Sequence, residues 1–245
     1  MVGVRGAGRA RRVVVAVAAA ALLGGAVAGC GGGPGSGSGD GPGAAASAAV
    51  VRTSPIADVL AQLPARVEGA KVVVGRPEAP RTAQVLVDPR CGYCARFEEA
   101  GGETLLKLAA EGSVKVEYLL ASFLDRDGVS GSVKAVNALR ASVDEGKFAE
   151  YQAAVFASQP KGKFTDELLL EIADRVPGLR GARFDGAVAE MTYEGWVGEA
   201  ERAFEATGAQ GTPVVLVDGQ PVGAKDRSMF DAAAFAGALK GVGIG

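Results

Sequence analysis

Cys91 and Cys94, separated by Gly92-Tyr93, have residue types and a spacing suited to redox chemistry. Two thiols at i and i+3 on the first turn of a helix share one face and can close a short disulfide. The free amides and positive dipole end of such a turn favour a thiolate over a thiol. Cys91, at the start of the turn, is the expected nucleophile, because placement of this kind lowers a thiol pKa into the range ~3.5–7.5. Cys94, one turn inside, is expected to resolve a mixed disulfide by intramolecular attack. Tyr93 offers an aromatic edge to a substrate peptide. Two structural readings compete with exchange. As a structural crosslink the pair closes too short a loop to stabilise much. As half of a zinc site it lacks partners, since the chain has three cysteines and no histidine. The lack of histidine also excludes Ser-His-Asp hydrolases and histidine-based metalloenzymes.

The elements that must position the pair are legible around it. Residues 82–88 read as a buried strand running into the motif, and residues 95–111 as the helix leading away. Gly101-Gly102 interrupts that helix at about 1 kcal/mol per glycine, so a kink or break is expected there. Residues 71–74 read as a first strand and 114–120 as a third, parallel to the second across the helix. A short helical stripe covers 56–67. After residue 128 the period becomes helical, with helices expected at 132–143, 148–158, 165–176 and about 183–207. Strand character returns at 213–217, and Asp218-Gly219 signals a hairpin into a return strand at 220–222. A last helix spans about 228–239. Removing the helical block leaves βαβ followed by ββα around one central mixed sheet. Glu98-Glu99 and Asp144-Glu145 read as solvated faces.

The N-terminal residues read as an address. Arg5, Arg9, Arg11 and Arg12 precede an apolar stretch at 13–23, too short for the ~20 residues that span a bilayer. Val27-Ala28-Gly29 before Cys30 resembles the bacterial lipobox, which implies lipidation of Cys30 after removal of residues 1–29. Residues 30–52 form a Gly/Ser/Pro/Ala linker that cannot bury a core; a coil of ~20 residues spans roughly 25 Å. Residues 53–245 have the length and apolar content of one domain. Removing residues 1–29 takes away four arginines and no acid, moving the formal charge from −2 to −6. Such a domain is unsuited to nucleic acid or to electrostatic docking on anionic lipid.

The segments 75–80 and 88–94, the helical block containing Gly146-Lys147-Phe148 and Tyr151, and Gly211-Thr212-Pro213 together resemble the DsbA-like branch of the thioredoxin superfamily. The resemblance covers about residues 72–240. It implies a thioredoxin-like fold with a helical insertion at about 128–208. It also implies thiol–disulfide exchange on exported cysteine-containing proteins at the extracytoplasmic face, with no cofactor beyond the cysteines and a membrane or extracytoplasmic redox partner that resets them. Thr212 and Pro213 then form a cis-proline loop that packs on the motif and presents backbone to a client. Two features depart from the family. Oxidase members carry Pro-His where Gly92-Tyr93 stands, which leaves the direction of electron flow open. Thioredoxins keep a buried carboxylate six residues before the first cysteine, where this chain has Val85; water, Asp88 or Glu117 must then take the proton. Two other functions stay open, a peptide- or partner-binding lipoprotein without turnover and a Cu(I)-handling dithiol protein.

Overall fold

The computed structural model describes residues 50–245. The expectations placed on the leader, on Cys30 and on all but the end of the linker lie outside the described residues. The sheet has six strands in the order β1-β2-β4-β3-β5-β6. They are β1 (Ala65–Glu68), β2 (Lys71–Val74), β3 (Thr82–Val87), β4 (Lys115–Leu120), β5 (Val214–Val217) and β6 (Gln220–Pro221). β3 and β4 run parallel, with Thr82 opposite Lys115 and Val87 opposite Leu120, while every other pairing is antiparallel. The sheet is therefore mixed, as the element order implied.

Alternation along the central strands divides the core between two faces. Ala83, Val85 and Val87 of β3, with Val116, Tyr118 and Leu120 of β4, face the main core, which also buries Cys94, Phe97, Phe148 and Phe235. Leu86 and Leu119 face the other side, where Phe204 covers them. Fully burying a Phe or Leu side chain stabilises by roughly 1.5–3 kcal/mol. The helix that follows the CxxC motif is thus held by a continuous apolar face.

The structure corrects several expectations. The helical stripe over 56–67 is only α1 (Ala57–Leu60). Pro64 cannot continue a helix, and the chain turns into β1, which pairs Ala65 with Val74 through a turn at Gly69 with φ 56°. Lys71–Val74 is therefore the second strand. The helix after the motif starts earlier than expected, as α2 (Gly92–Phe97), and continues through a π-helical turn (Glu98–Gly102) into α3 (Glu103–Glu111). The glycine pair, where a kink or break was expected, lies in a wide π-helical turn across which the helix continues. That turn carries Glu98 inward, so this side chain is buried and not a solvated face.

The helical block between β4 and β5 comprises α4 (Ser132–Asp144), α5 (Phe148–Ala157), α6 (Asp166–Ala173), α7 (Ala182–Ala189) and α8 (Glu194–Ala206). Thr165 caps α6 by accepting from the Leu168 amide at 3.2 Å. The single helix expected over 183–207 is two, divided at a turn where Met191 has φ 51°. Asp144 is tied to Tyr193, Arg140 and Arg183, so it too is no free surface acid. The chain ends in a 3-10 turn (Ser228–Phe230) and α9 (Ala232–Gly241), whose Asp231 cap accepts from the Ala234 amide at 2.8 Å.

Candidate active site

β3 ends at Val87 and the chain turns sharply through Asp88, Pro89 and Arg90, closed by a bond from the Cys91 amide to the Asp88 carbonyl at 3.0 Å. Cys91 is the N-cap of α2, with extended backbone (φ −75°, ψ 114°). Its sulfur therefore projects from the helix mouth, half-buried, while Cys94 is fully buried one turn later. Both are free thiols.

The electrostatics divide the pair. A hydrogen bond from the Cys94 thiol is the largest influence on Cys91; the Thr212 side chain and the backbone amides of Cys94 and Tyr93 add to it and outweigh partial burial. Together they lower the Cys91 pKa to about 5. Burial acts the other way on Cys94, and the neighbouring Cys91 thiolate reinforces it, so its thiol is held far above the ordinary range. One sulfur is charged and accessible; the other stays protonated and enclosed. That asymmetry suits an attacking and a resolving thiol.

The structure brings Thr212 and Pro213 to the same place. The Cys91 thiol donates to the Thr212 carbonyl at 3.3 Å across 121 residues of chain. The Thr212–Pro213 peptide bond is cis. The Thr212 hydroxyl is buried and has no other partner among the described residues, which leaves it free to donate to a thiolate. Tyr93 is 56% exposed, with its ring 6.0 Å from that of Phe230, over which the Arg96 guanidinium lies at 5.3 Å.

Of the three proton acceptors considered from sequence, Glu117 is misplaced. It alternates with Val116 and Tyr118 on β4, points away from the core that holds Cys94, and pairs with Lys71. Asp88 is fully buried. One carboxylate oxygen accepts from the Arg90 amide at 2.8 Å and from the Ser132 hydroxyl; the other accepts from the Leu124 amide at 3.0 Å. Burial outweighs these bonds and raises its pKa to about 6. Asp88 thus ties the turn before the motif to the helical block. Position 85 is core valine. Glu98, one turn beyond Cys94, lies buried beside Tyr118 and Gln152, and burial pushes its carboxyl up to about 8.

Sequence reasoning missed Ser132, Gln159 and Arg90. The Gln159 amide donates to the carbonyls of Pro89 and Cys91, and the Arg90 guanidinium donates to the Pro160 carbonyl at 2.6 Å. No local pattern marks them, because each contact spans 44 to 70 residues. Among the described residues no three His, Cys, Asp or Glu side chains gather where a metal ion would sit.

The mixed sheet, the helical block between its halves and the CxxC pair beside the Thr212-Pro213 loop make up a thioredoxin-like fold. Residues 68–233 match the Thioredoxin_4 family, described as Thioredoxin, and the chain belongs to that family. Three solved structures share the fold. MdbA, a thiol-disulfide oxidoreductase from Corynebacterium matruchotii, superposes with a TM-score of 0.59 at 20% identity, over 67% of this chain and 90% of that one. MdbA from Actinomyces oris gives 0.60 at 22% identity, over 71% and 86%. BdbD from Bacillus subtilis gives 0.58 at 19% identity, over 80% and 98%. A curated protein, hydroxyurea phosphotransferase from Kitasatospora aureofaciens, is 78% identical over 32 residues, which are 13% of this chain and 9% of that protein. The chain therefore spans a small fraction of that relative's length, and so short a segment carries no fold or activity with it.

Proposed function

We propose that this chain is an extracytoplasmic thiol–disulfide oxidoreductase that inserts disulfides into exported proteins through Cys91 and Cys94. The observation that carries the reading is the contact between Cys91 and Thr212, which sets an activated thiol beside a backbone edge suited to a client strand. In the oxidised pair, a client thiolate attacks the Cys91 sulfur. A client–Cys91 bond forms, the Cys91–Cys94 bond breaks, and Cys94 leaves with the electron pair and takes a proton. A second client thiolate then attacks the client sulfur, and Cys91 departs as a thiolate. Two electrons have moved from client to protein, and a membrane or extracytoplasmic redox partner must remove them.

A Cys91 pKa near 5 supports the oxidising direction, because a stabilised thiolate favours the reduced pair and so makes the disulfide a stronger oxidant. Thr212 and Pro213 hold the client by backbone hydrogen bonds, a form of β-augmentation. Tyr93, and Leu124 on the loop after β4, offer exposed apolar surface for the flanking client side chains. The leader, the domain at 53–245 and lipidation of Cys30 complete the proposal: the domain hangs from the membrane on the linker at 30–52. Among the described residues no helix is long and apolar enough to cross a membrane.

The test is disulfide formation in a reduced, unfolded client by the full chain. Wild type should oxidise it in a buffer of reduced and oxidised glutathione, and Cys91→Ser should not. Cys94→Ala carrying glutathione on Cys91 should exchange it for a single-thiol client, releasing glutathione and leaving a client–Cys91 adduct visible by mass. Cys91→Ser with full activity would end the enzyme reading. Cys30→Ala should move the protein from the membrane to the soluble fraction; unchanged membrane retention would remove the lipid anchor from the proposal.

A further inference from the structure

The catalytic turn is gripped from outside the thioredoxin core. Gln159 lies on the segment joining α5 to α6, and its single amide nitrogen donates to Pro89 O at 2.5 Å and Cys91 O at 3.0 Å. A primary amide has two N–H bonds, and here both are committed to the two carbonyls that flank Arg90. The Cys91 carbonyl also accepts the first helical bond, from the Ala95 amide at 3.1 Å. Next along the segment, Pro160 O accepts from the Arg90 guanidinium, which sits 5.9 Å from the Phe164 ring. Fixing carbonyls i and i+2 fixes the peptide plane before Arg90 and the plane after Cys91, while the plane between them is held by the Cys91 amide bond to the Asp88 carbonyl at 3.0 Å. Those planes decide where the Cys91 sulfur points and how the following amides face it.

We propose that Gln159 is a positioning residue that holds Cys91 in its reactive geometry, so that the helical insertion, and not the thioredoxin core alone, sets the reactivity of the nucleophile. Gln159 contacts neither sulfur in the structure; it acts through the two carbonyls. The proposal rests on the oxidoreductase reading for its importance, but its geometry stands apart from that reading. The titratable groups that interact with Cys91 are Cys94 and Asp88, and both remain when Gln159 is replaced; the Arg90 guanidinium is turned to the Pro160 carbonyl.

The neighbouring residue supplies a control. Ser158 makes two bonds to Arg52 near the start of the domain, accepting from its amide at 2.8 Å and donating to its carbonyl at 3.3 Å. Replacing Ser158 loosens the same segment without touching the catalytic turn. The experiment follows the pH dependence of Cys91 alkylation in the reduced full chain, with thermal melts as a check on folding. Gln159→Ala, and Gln159→Met with the same reach but no N–H, should both move the midpoint upwards by about one pKa unit, roughly a tenfold loss of rate below it. Ser158→Ala should leave the midpoint in place. If Gln159→Ala does not fold, Gln159→Met carries the test alone. An unmoved midpoint in the folded Gln159 variants overturns the proposal, as does an equal shift in Ser158→Ala. Alkylation needs no client, so the two readings fail separately. A wild type without client oxidation, but with the Gln159 shift, would end the oxidoreductase reading and keep the clasp. A client-active wild type with no shift would end the clasp alone.

Discussion

Thr212 meets the nucleophile with two groups, a carbonyl that accepts from the Cys91 thiol and a buried hydroxyl with no other partner. The carbonyl suits the thiol and the hydroxyl suits the thiolate, so of these two it is the hydroxyl that lowers the pKa, after the larger effect of the Cys94 thiol. Thr212→Val keeps the shape and removes the O–H. It should raise the Cys91 midpoint from about 5. The expected rise is about one pKa unit or somewhat less, the worth of one hydrogen bond to a charged group in a half-buried site. Thiolate absorbance across a pH titration reads it, and an unmoved midpoint would show the hydroxyl to be idle. At this scale the sequence was informative where the signal was local. Cys91, Cys94 and the Thr-Pro step announce themselves by type and spacing. Asp88 did not, because a carboxylate at a strand end is usually solvated, and its burial depends on Leu124 and Ser132 folding over it. Gln159 was invisible for the same reason.

Among the elements, the π-helical turn after the motif departs most from what periodicity suggested. Two glycines read as a weak point in the helix. In the structure they are places where the helix leaves no room for a Cβ. A side chain at Gly101 would put a Cβ 2.6 Å from the Met229 carbonyl and 2.8 Å from the Phe97 ring, so backbone must move to admit it. Gly101→Ala should therefore cost about 1–3 kcal/mol of stability by urea unfolding, despite the better helix propensity of alanine. Gly92→Ala, which meets nothing within 4 Å, should stay within about 0.5 kcal/mol of wild type. Equal effects at the two sites would remove close packing as the reason for the glycines. The strand β1 was lost to the opposite confusion. Ile56, Val59, Leu60 and Leu63 carry a helical period that runs into the strand, and only pairing with β2 shows where it stops. The long helices and the parallel β3–β4 pair were legible because each spans enough residues to show its own period.

For the molecule as a whole, the charge on Cys91 ties stability to redox state. Its folded pKa of about 5 lies below the unfolded value of ~8.5. A depressed pKa contributes stability that is fully present above the unfolded value and is lost as pH falls through the folded one. The disulfide form has no such group. The melting temperature of the dithiol form, measured against the disulfide form, should therefore climb between about pH 5 and pH 8.5. Asp88, raised to about 6, is present in both forms and largely cancels in the difference. A gap that shrinks or stays level over that window would argue against a stabilised thiolate. The long reach of the contacts around Cys91 has a consequence in time. Gln159 follows Cys91 by 68 residues and Thr212 by 121. A ribosome releases the thiol pair well before Gln159 and Thr212. Until residue 212 has emerged, the Thr212 contribution is missing and Cys91 is less ionised than in the finished fold. The full reactivity of the pair therefore arrives late in synthesis.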